Sequence, residues 1–297
     1  MRKLTVATRK SPLALAQTRA FVAELCARHP GLEVDELLVT TSGDRIQDRP
    51  LSEVGGKGLF TKEIEDALLD GRADFAVHSL KDVPPLLPRG LLIGCFPERE
   101  DPRDVLIAPG NKKLAELAPH SRIGTSSLRR KLQLLAARPD VDVVPIRGNV
   151  DTRMRKAETG DVDAVVLARA GLVRLGLAER PAEILSVELM IPAVAQGALG
   201  IEHREGDEVV AEILAPLSHP DTKIAVTAER AVLRVVEGNC QLPVAAHALR
   251  GDGGFRLVGL LADPDGSRVR RAEVRGPVPR TDAEAIALGE ALGSKLR

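Results

Sequence analysis

The chain has 297 residues with 42 basic and 42 acidic side chains, so its formal net charge is zero. Hydrophobic residues make up 44% and charged residues 28%, the balance of a globular chain of two or three domains rather than a disordered one. No apolar run is long enough for a transmembrane helix, the N-terminus lacks the apolar stretch of a signal peptide, and neutral overall charge argues against non-specific nucleic-acid binding. The expectation is a cytoplasmic protein with no membrane or nucleic-acid partner.

In chain order, the first half alternates short apolar strands with helical patterns. Residues 4–8 read as a strand. Residues 12–28 read as a helix, with Ser11 as its cap and Pro12 at its first position. A strand at 34–41 comes next, then a helix at 61–69 closed by Asp70-Gly71, then strands at 74–77 and 91–96. The charged, proline-bearing stretch 97–103 reads as an interdomain crossing. Beyond it, strands at 105–108, 122–124, 141–146 and 164–168 alternate with helices at 127–137, 151–158 and 170–177. This rhythm predicts two α/β domains, each with a mostly parallel sheet and helices on both faces.

The pattern changes after Met190-Ile191-Pro192. Residues 193–202 are small and apolar, and helices are expected at 207–217 and 221–237, the second ending at Gly238. Strands are expected at 242–249, 256–261 and 267–274, the last two joined by the turn Asp263-Pro264-Asp265-Gly266. A helix at 281–296 closes the chain. This part reads as a small α+β third domain with an antiparallel sheet.

Basic charge is mostly arginine, 31 Arg against 11 Lys, and it is sorted. Between residues 122 and 156 there are nine basic side chains and only three acids, Asp140, Asp142 and Asp151. Any one of these arginines reads most simply as part of a solvated helix face. As a group their placement is suggestive. Gly124-Thr125-Ser126-Ser127-Leu128-Arg129-Arg130 runs from a strand into a helix start, where free N–H groups and hydroxyls favour anions. Arg147-Gly148-Asn149 comes after the next strand, and Arg153 lies about one turn into the next helix. Loops at strand C-termini are where open α/β sheets hold ligands. Guanidinium suits bidentate recognition of carboxylate or phosphate, so a polyanionic ligand is expected. Arg9-Lys10-Ser11-Pro12 stands at the matching turn of the first domain, with Gln17 in its helix.

Other motifs stay open at this level. Gly55-Gly56-Lys57-Gly58 lacks the Ser or Thr that a P-loop places after its lysine, and reads better as a mobile lid. Asp82, in His78-Ser79-Leu80-Lys81-Asp82-Val83-Pro84-Pro85, is an acid on a stiff loop at a strand end; it could serve catalysis, cap the turn or pair with Lys81. His78 reads as a hydrogen-bonded structural residue. The cysteines Cys26, Cys95 and Cys240 are odd in number and show no CxxC, so neither a disulfide framework nor a metal site is expected. Cys26 and Cys95 lie in apolar patterns and read as buried, whereas Cys240 sits in the polar loop Gly238-Asn239-Cys240-Gln241 and reads as a covalent attachment point.

These motifs, in this order, resemble the porphobilinogen deaminase (hydroxymethylbilane synthase) family over nearly the whole chain. The resemblance rests on 7–15, 55–60, 76–84, 100–104, 124–130, 147–153, Gln196-Gly197 and 238–243. It implies an enzyme that joins four porphobilinogen molecules head to tail, releases ammonia at each step and liberates linear hydroxymethylbilane. It implies a dipyrromethane cofactor held by a thioether at Cys240. The carboxylate of Asp82 would contact pyrrole N–H groups and stabilise a cationic intermediate. Arg9, Ser11, Arg129, Arg130, Arg147 and Arg153 would bind acetate and propionate side chains. Lys81, Thr125, Ser126, Ser127, Gly148, Gln17, Arg174 and Gln196 would complete the cofactor and substrate contacts.

The implied fold has two lobes like type II periplasmic binding proteins, at 1–97 with 198–215 and at 103–191, plus a cofactor-carrying domain at 220–297, in a monomer with a cleft between the lobes. Three positions depart from the family pattern: Glu53 and Ser42 stand where basic residues are common, and Asn239 where Gly is frequent. A non-catalytic solute-binding module would explain the arginines but not Cys240 or the third domain. A nucleotide-using phosphotransferase would need a magnesium carboxylate pair that the sequence does not show.

Overall fold

The computed structural model describes residues 3–45, 58–236, 242–251 and 253–297. In chain order the elements begin with β1 (Leu4–Arg9), α1 (Pro12–Arg28), β2 (Val34–Val39), α2 (Ser42–Arg45), α3 (Lys62–Leu69), β3 (Phe75–Ser79), a 3-10 turn (Leu80–Asp82) and β4 (Leu91–Cys95). Next come β5 (Asp104–Ile107), β6 (Arg122–Gly124), α4 (Leu128–Ala137), β7 (Asp142–Val144), α5 (Val150–Glu158), β8 (Ala164–Ala168), α6 (Arg169–Arg174) and β9 (Glu183–Ile184). The last are β10 (Leu199–Arg204), α7 (Glu208–Leu214), α8 (Pro220–Val235), β11 (Val244–Gly251), β12 (Gly254–Leu261), β13 (Arg270–Gly276) and α9 (Asp282–Leu296).

Local rules account for many of the helix starts. Ser11 caps α1 by accepting from the Ala14 N–H, and Pro12 sits at the first helical position. Ser127 caps α4 through the Arg130 N–H, and Asn149 caps α5 through the Thr152 N–H. Each cap occupies a strand-to-helix turn, so each also fixes how the chain leaves a strand end.

The chain divides into two compact units, Met1–Glu100 with Ala198–Lys223, and Asp101–Gly197 with Ile224–Arg297. The first holds a sheet of order β2-β1-β3-β10-β4. Its core joins Leu4, Val6, Phe21, Leu25, Phe75, Val77, Cys95 and Ile201. The second holds a sheet of order β7-β6-β8-β5-β9 and a separate antiparallel sheet, β11-β12-β13. The five-stranded sheets share one plan. In each, the first three strands of the order run parallel and the last two are antiparallel to their neighbours.

In each sheet four of the five strands therefore share one direction, in keeping with the expected mostly parallel sheets, and a single strand, β10 in the first and β5 in the second, runs against both its neighbours. In both sheets the antiparallel strand comes from just beyond a crossing, β5 after residue 100 and β10 after residue 197. In the sequence β10 is legible only as a small, apolar segment. It is buried from Leu199 through His203, yet it carries Glu202 and His203, so its apolar run breaks before the strand does. The short β9 is an addition to the expected strands. The three-stranded sheet agrees with the expected antiparallel arrangement, with β13 starting three residues later than the strand pattern suggests.

Candidate active site

In the second unit, two arginine groups emerge from neighbouring turns with opposite surroundings. Arg129 and Arg130 open α4, but their side chains turn inward and are buried. Asp104, on β5, is fully buried between them: Arg129 Nη1 donates to Asp104 Oδ2 at 2.8 Å, and Arg130 Nη2 donates to Oδ1 at 2.7 Å. Arg129 also donates to the Ile191 carbonyl and Arg130 to the Val166 carbonyl. Gln196 Nε2 reaches the same carboxylate at 2.9 Å and the Pro102 carbonyl at 2.7 Å. Burial alone would raise the Asp104 carboxyl, but the two guanidinium charges and their hydrogen bonds hold it well below the usual carboxylate range. The solvated helix face expected for single arginines is therefore not found at these two.

Arg153 lies in the other group. Its one side-chain hydrogen bond among the described residues runs from Nε to the Gly148 carbonyl at 2.8 Å. Burial, then the like charges of Arg130 and Arg147, push its guanidinium down to about 10. Among the described residues no acid offsets them. Gly148 has φ +114°, and a Cβ there would come 2.6 Å from the Thr152 side chain, so this turn requires glycine. Beside it, the Ser126 hydroxyl donates to the Ile146 carbonyl at 2.6 Å and fixes the strand end next to Arg147. Thr125 is buried, and its hydroxyl accepts from the Ser127 N–H at 3.2 Å. Arg174 donates to the Gly197 carbonyl at 2.7 Å, next to Gln196.

In the first unit, Arg9 ends β1 and forms a two-pronged ion pair with Asp44 on α2. The Phe60 ring lies 4.2 Å from its guanidinium carbon. Ser11 caps α1. Gln17 is buried, and its amide donates to the Ser79 hydroxyl at 3.0 Å, three residues before Asp82. Asp82 ends the 3-10 turn that β3 leads into; Leu80 is buried and donates from its N–H to the Ala198 carbonyl at 3.0 Å. The half-buried Asp82 carboxylate makes no hydrogen bond or ion pair among the described residues, so it neither caps the turn nor pairs with Lys81, which is exposed. His78 fits its structural reading, hydrogen-bonded to Glu202 at 2.8 Å inside the fold.

Cys95 is buried, and burial pushes its thiol up to about 12. Cys26 is half-buried, less enclosed than its apolar pattern suggests. Cys240, Asn239, Glu53 and Lys57, with the rest of the glycine-rich segment before Gly58, lie outside the described residues.

Sequence reasoning missed Asp104 and Asp44 as partners of the predicted arginines. Asp104 lies 18 residues before the basic window opens, so a local charge count cannot see it. The signal available is its place in Glu100-Asp101-Pro102-Arg103-Asp104, a motif otherwise read as a crossing.

A family model described as "Porphobilinogen deaminase, dipyromethane cofactor binding domain" matches residues 4–212, and "Porphobilinogen deaminase, C-terminal domain" matches residues 223–297. The chain is 56% identical over 295 residues to the porphobilinogen deaminase of Sorangium cellulosum, covering 99% of this chain and 98% of that one. It is 53% identical to the porphobilinogen deaminase of Syntrophotalea carbinolica, covering 97% and 92%. Among solved structures it is similar to the periplasmic aliphatic sulphonate binding protein SsuA from Escherichia coli, with 14% identity, a TM-score of 0.42, and coverage of 79% of this chain and 70% of that one. Both family models and these near full-length relatives show that the chain belongs to the porphobilinogen deaminase family.

Proposed function

We propose that this chain condenses four porphobilinogen molecules head to tail, with loss of ammonia at each coupling, into linear hydroxymethylbilane, and that separate groups of residues bind, anchor and activate. Family membership supports a transferase of tetrapyrrole (porphyrin and heme) biosynthesis that binds dipyrromethane. The observation that carries the assignment of residues is Arg153, a partly buried guanidinium that bonds one backbone carbonyl, feels the like charges of Arg130 and Arg147, and has no carboxylate partner among the described residues. Such a group favours an anionic ligand, and the acetate and propionate arms of cofactor and substrate supply carboxylates. The donor set thus fits the cofactor.

Arg147, Arg153 and the turn hydroxyls of Thr125, Ser126 and Ser127 would hold carboxylate arms, with Gly148 giving its turn the shape that binding needs. Arg129 and Arg130 would contribute positive potential from within and hold the α4 turn rigid through Asp104. When bound, the dipyrromethane supplies the pyrrole carbon onto which the first substrate is joined. Cys240 would anchor it by a thioether, so that growing chains do not diffuse away. The Asp82 carboxylate is an acceptor without a partner among the described residues, which suits it to take pyrrole N–H bonds and to stabilise positive charge developing on the substrate as ammonia leaves. Lys81 lies beside it in sequence, and Gln17 braces the strand end before it. Arg9, Ser11, Arg174 and Gln196 would complete substrate binding directly or by fixing the turns.

The proposed domain division is 1–97 with 198–215, 103–191, and 220–297, the last carrying the cofactor. No helix among the described residues is long and apolar enough to cross a membrane. We place the protein in the cytoplasm as a monomer without nucleic-acid partners; the odd cysteine count supports a reducing compartment.

Intact mass spectrometry tests the anchor. Protein from a porphobilinogen-producing host should carry the added mass of two linked pyrroles and colour with acid Ehrlich reagent, while Cys240→Ser should carry neither. A modified, fully active Cys240→Ser protein would contradict the assignment.

A further inference from the structure

Arg9 is held unusually for a group that must grip a substrate acid. Asp44 accepts from its Nε at 3.2 Å and from its Nη2, and also accepts from the Thr41 hydroxyl at 2.7 Å and the Thr41 N–H at 3.2 Å. Burial works against this carboxylate, yet the bonds from Arg9 and Thr41 outweigh it and keep Asp44 ionised below the usual range. Phe60 covers one face of the guanidinium. Gly43 makes that contact possible, because a Cβ there would come 2.3 Å from the Phe60 ring. The Gly43 N–H also donates to the Leu59 carbonyl at 2.7 Å, tying α2 to the turn that carries Phe60. The side chains of Arg9 and Asp44 remain 22% and 23% exposed, so the pair is half-open to solvent. One edge and one face of the cation are occupied from within the unit, and among the described residues nothing bonds Nη1, which is left for an incoming group.

We infer that Asp44 is a positioning and specificity-determining residue for the reaction: it aims Arg9 and, by its own negative charge, weakens the grip of Arg9 on substrate carboxylates. This rests on the reading of Arg9 as a substrate-carboxylate site. The physical reason lies in repetition. Four couplings require the same cation to take an acid arm and give it up, and a bare, partly buried guanidinium would hold it too long. A negative charge a few ångströms behind the guanidinium lowers the affinity for an arriving carboxylate, as like charges shift neighbouring titrations. If Asp44 served only to orient Arg9, its loss would weaken binding. If it also moderates Arg9, its loss tightens binding and slows turnover.

The experiment is steady-state kinetics of the cofactor-loaded enzyme for Asp44→Asn, Asp44→Glu and Arg9→Gln, with intact mass spectra recorded during turnover. Asparagine keeps an acceptor for Thr41 but removes the charge. The expected result for Asp44→Asn is a KM for porphobilinogen lowered about tenfold, a lower kcat, and a larger fraction of enzyme carrying bound substrate units. Asp44→Glu restores the KM towards wild type. Asp44→Ser, also uncharged, should give the same split if the asparagine variant does not fold. An unchanged or raised KM in the uncharged variants, with Arg9→Gln raising KM, overturns the inference and leaves the reading of Arg9 standing. An unchanged KM in Arg9→Gln overturns that reading, and the inference with it.

Discussion

Arg9 ends a strand just before a helix, Arg153 lies in the first turns of the helix after a strand, and both belong to motifs of the same family, yet their surroundings differ in sign. Arg9 has a carboxylate along one edge and an aromatic ring on one face. Arg153 has a carbonyl at 2.8 Å and the charges of two further arginines. Arg129 and Arg130 extend the first pattern inward, sharing the buried Asp104. A compensated arginine stabilises the chain that carries it. An uncompensated one raises the free energy of the empty fold and lowers that of a complex with an anion. The comparison separates arginines that build the site from those that are strained until it is filled.

The comparison breaks most readily at Asp104. Asp104→Ala leaves Arg129 and Arg130 buried together without their carboxylate, and should cost about 3–5 kcal/mol in urea unfolding at pH 7. The pH dependence comes from the depressed carboxyl. Its folded value lies below the ordinary 3.8, so the stabilisation is full at neutral pH and declines as pH falls below about 4 towards the folded value. The gap between wild type and variant should narrow at pH 3; a gap constant with pH would contradict the ion-pair account.

Asp82 sharpens the contrast from the acidic side, since it is a carboxylate with no internal cation on it among the described residues. Asp82→Asn should leave the melting temperature unchanged and lower kcat by about 10²–10³-fold, read by product formation from porphobilinogen. A near-normal kcat would assign the chemistry to another group.

The strands legible in the sequence are those whose apolar runs match their length, such as β8, buried almost throughout. The helix starts are legible because Ser11-Pro12, Ser127 and Asn149 are local signals. The reversed strand in each sheet is not. The βαβ rhythm records only the order of elements along the chain, whereas β10 inserts between β3 and β4 from more than 100 residues away in sequence. The arginine cluster is legible as a surplus of charge, but not its division into two kinds. That division depends on Asp104 and Asp44, which reach their arginines only through sheet pairing and through the docking of α2. The bonding of Arg129 and Arg130 into the fold is a tertiary outcome that overrides the polarity of their residue type.

The most direct test concerns Arg153. Arg153 stays charged at pH 7, but burial and the neighbouring arginine charges, which push its folded value down to about 10, make that charge costly to the empty fold, so removing it should stabilise the cofactor-free protein. Thermal unfolding of wild type and Arg153→Gln, each prepared with and without cofactor, reads this as a double difference. The account predicts that Arg153→Gln raises the stability of the cofactor-free protein by about 1 kcal/mol and gains less than wild type on cofactor loading. A less stable cofactor-free variant with an undiminished gain on loading would contradict it.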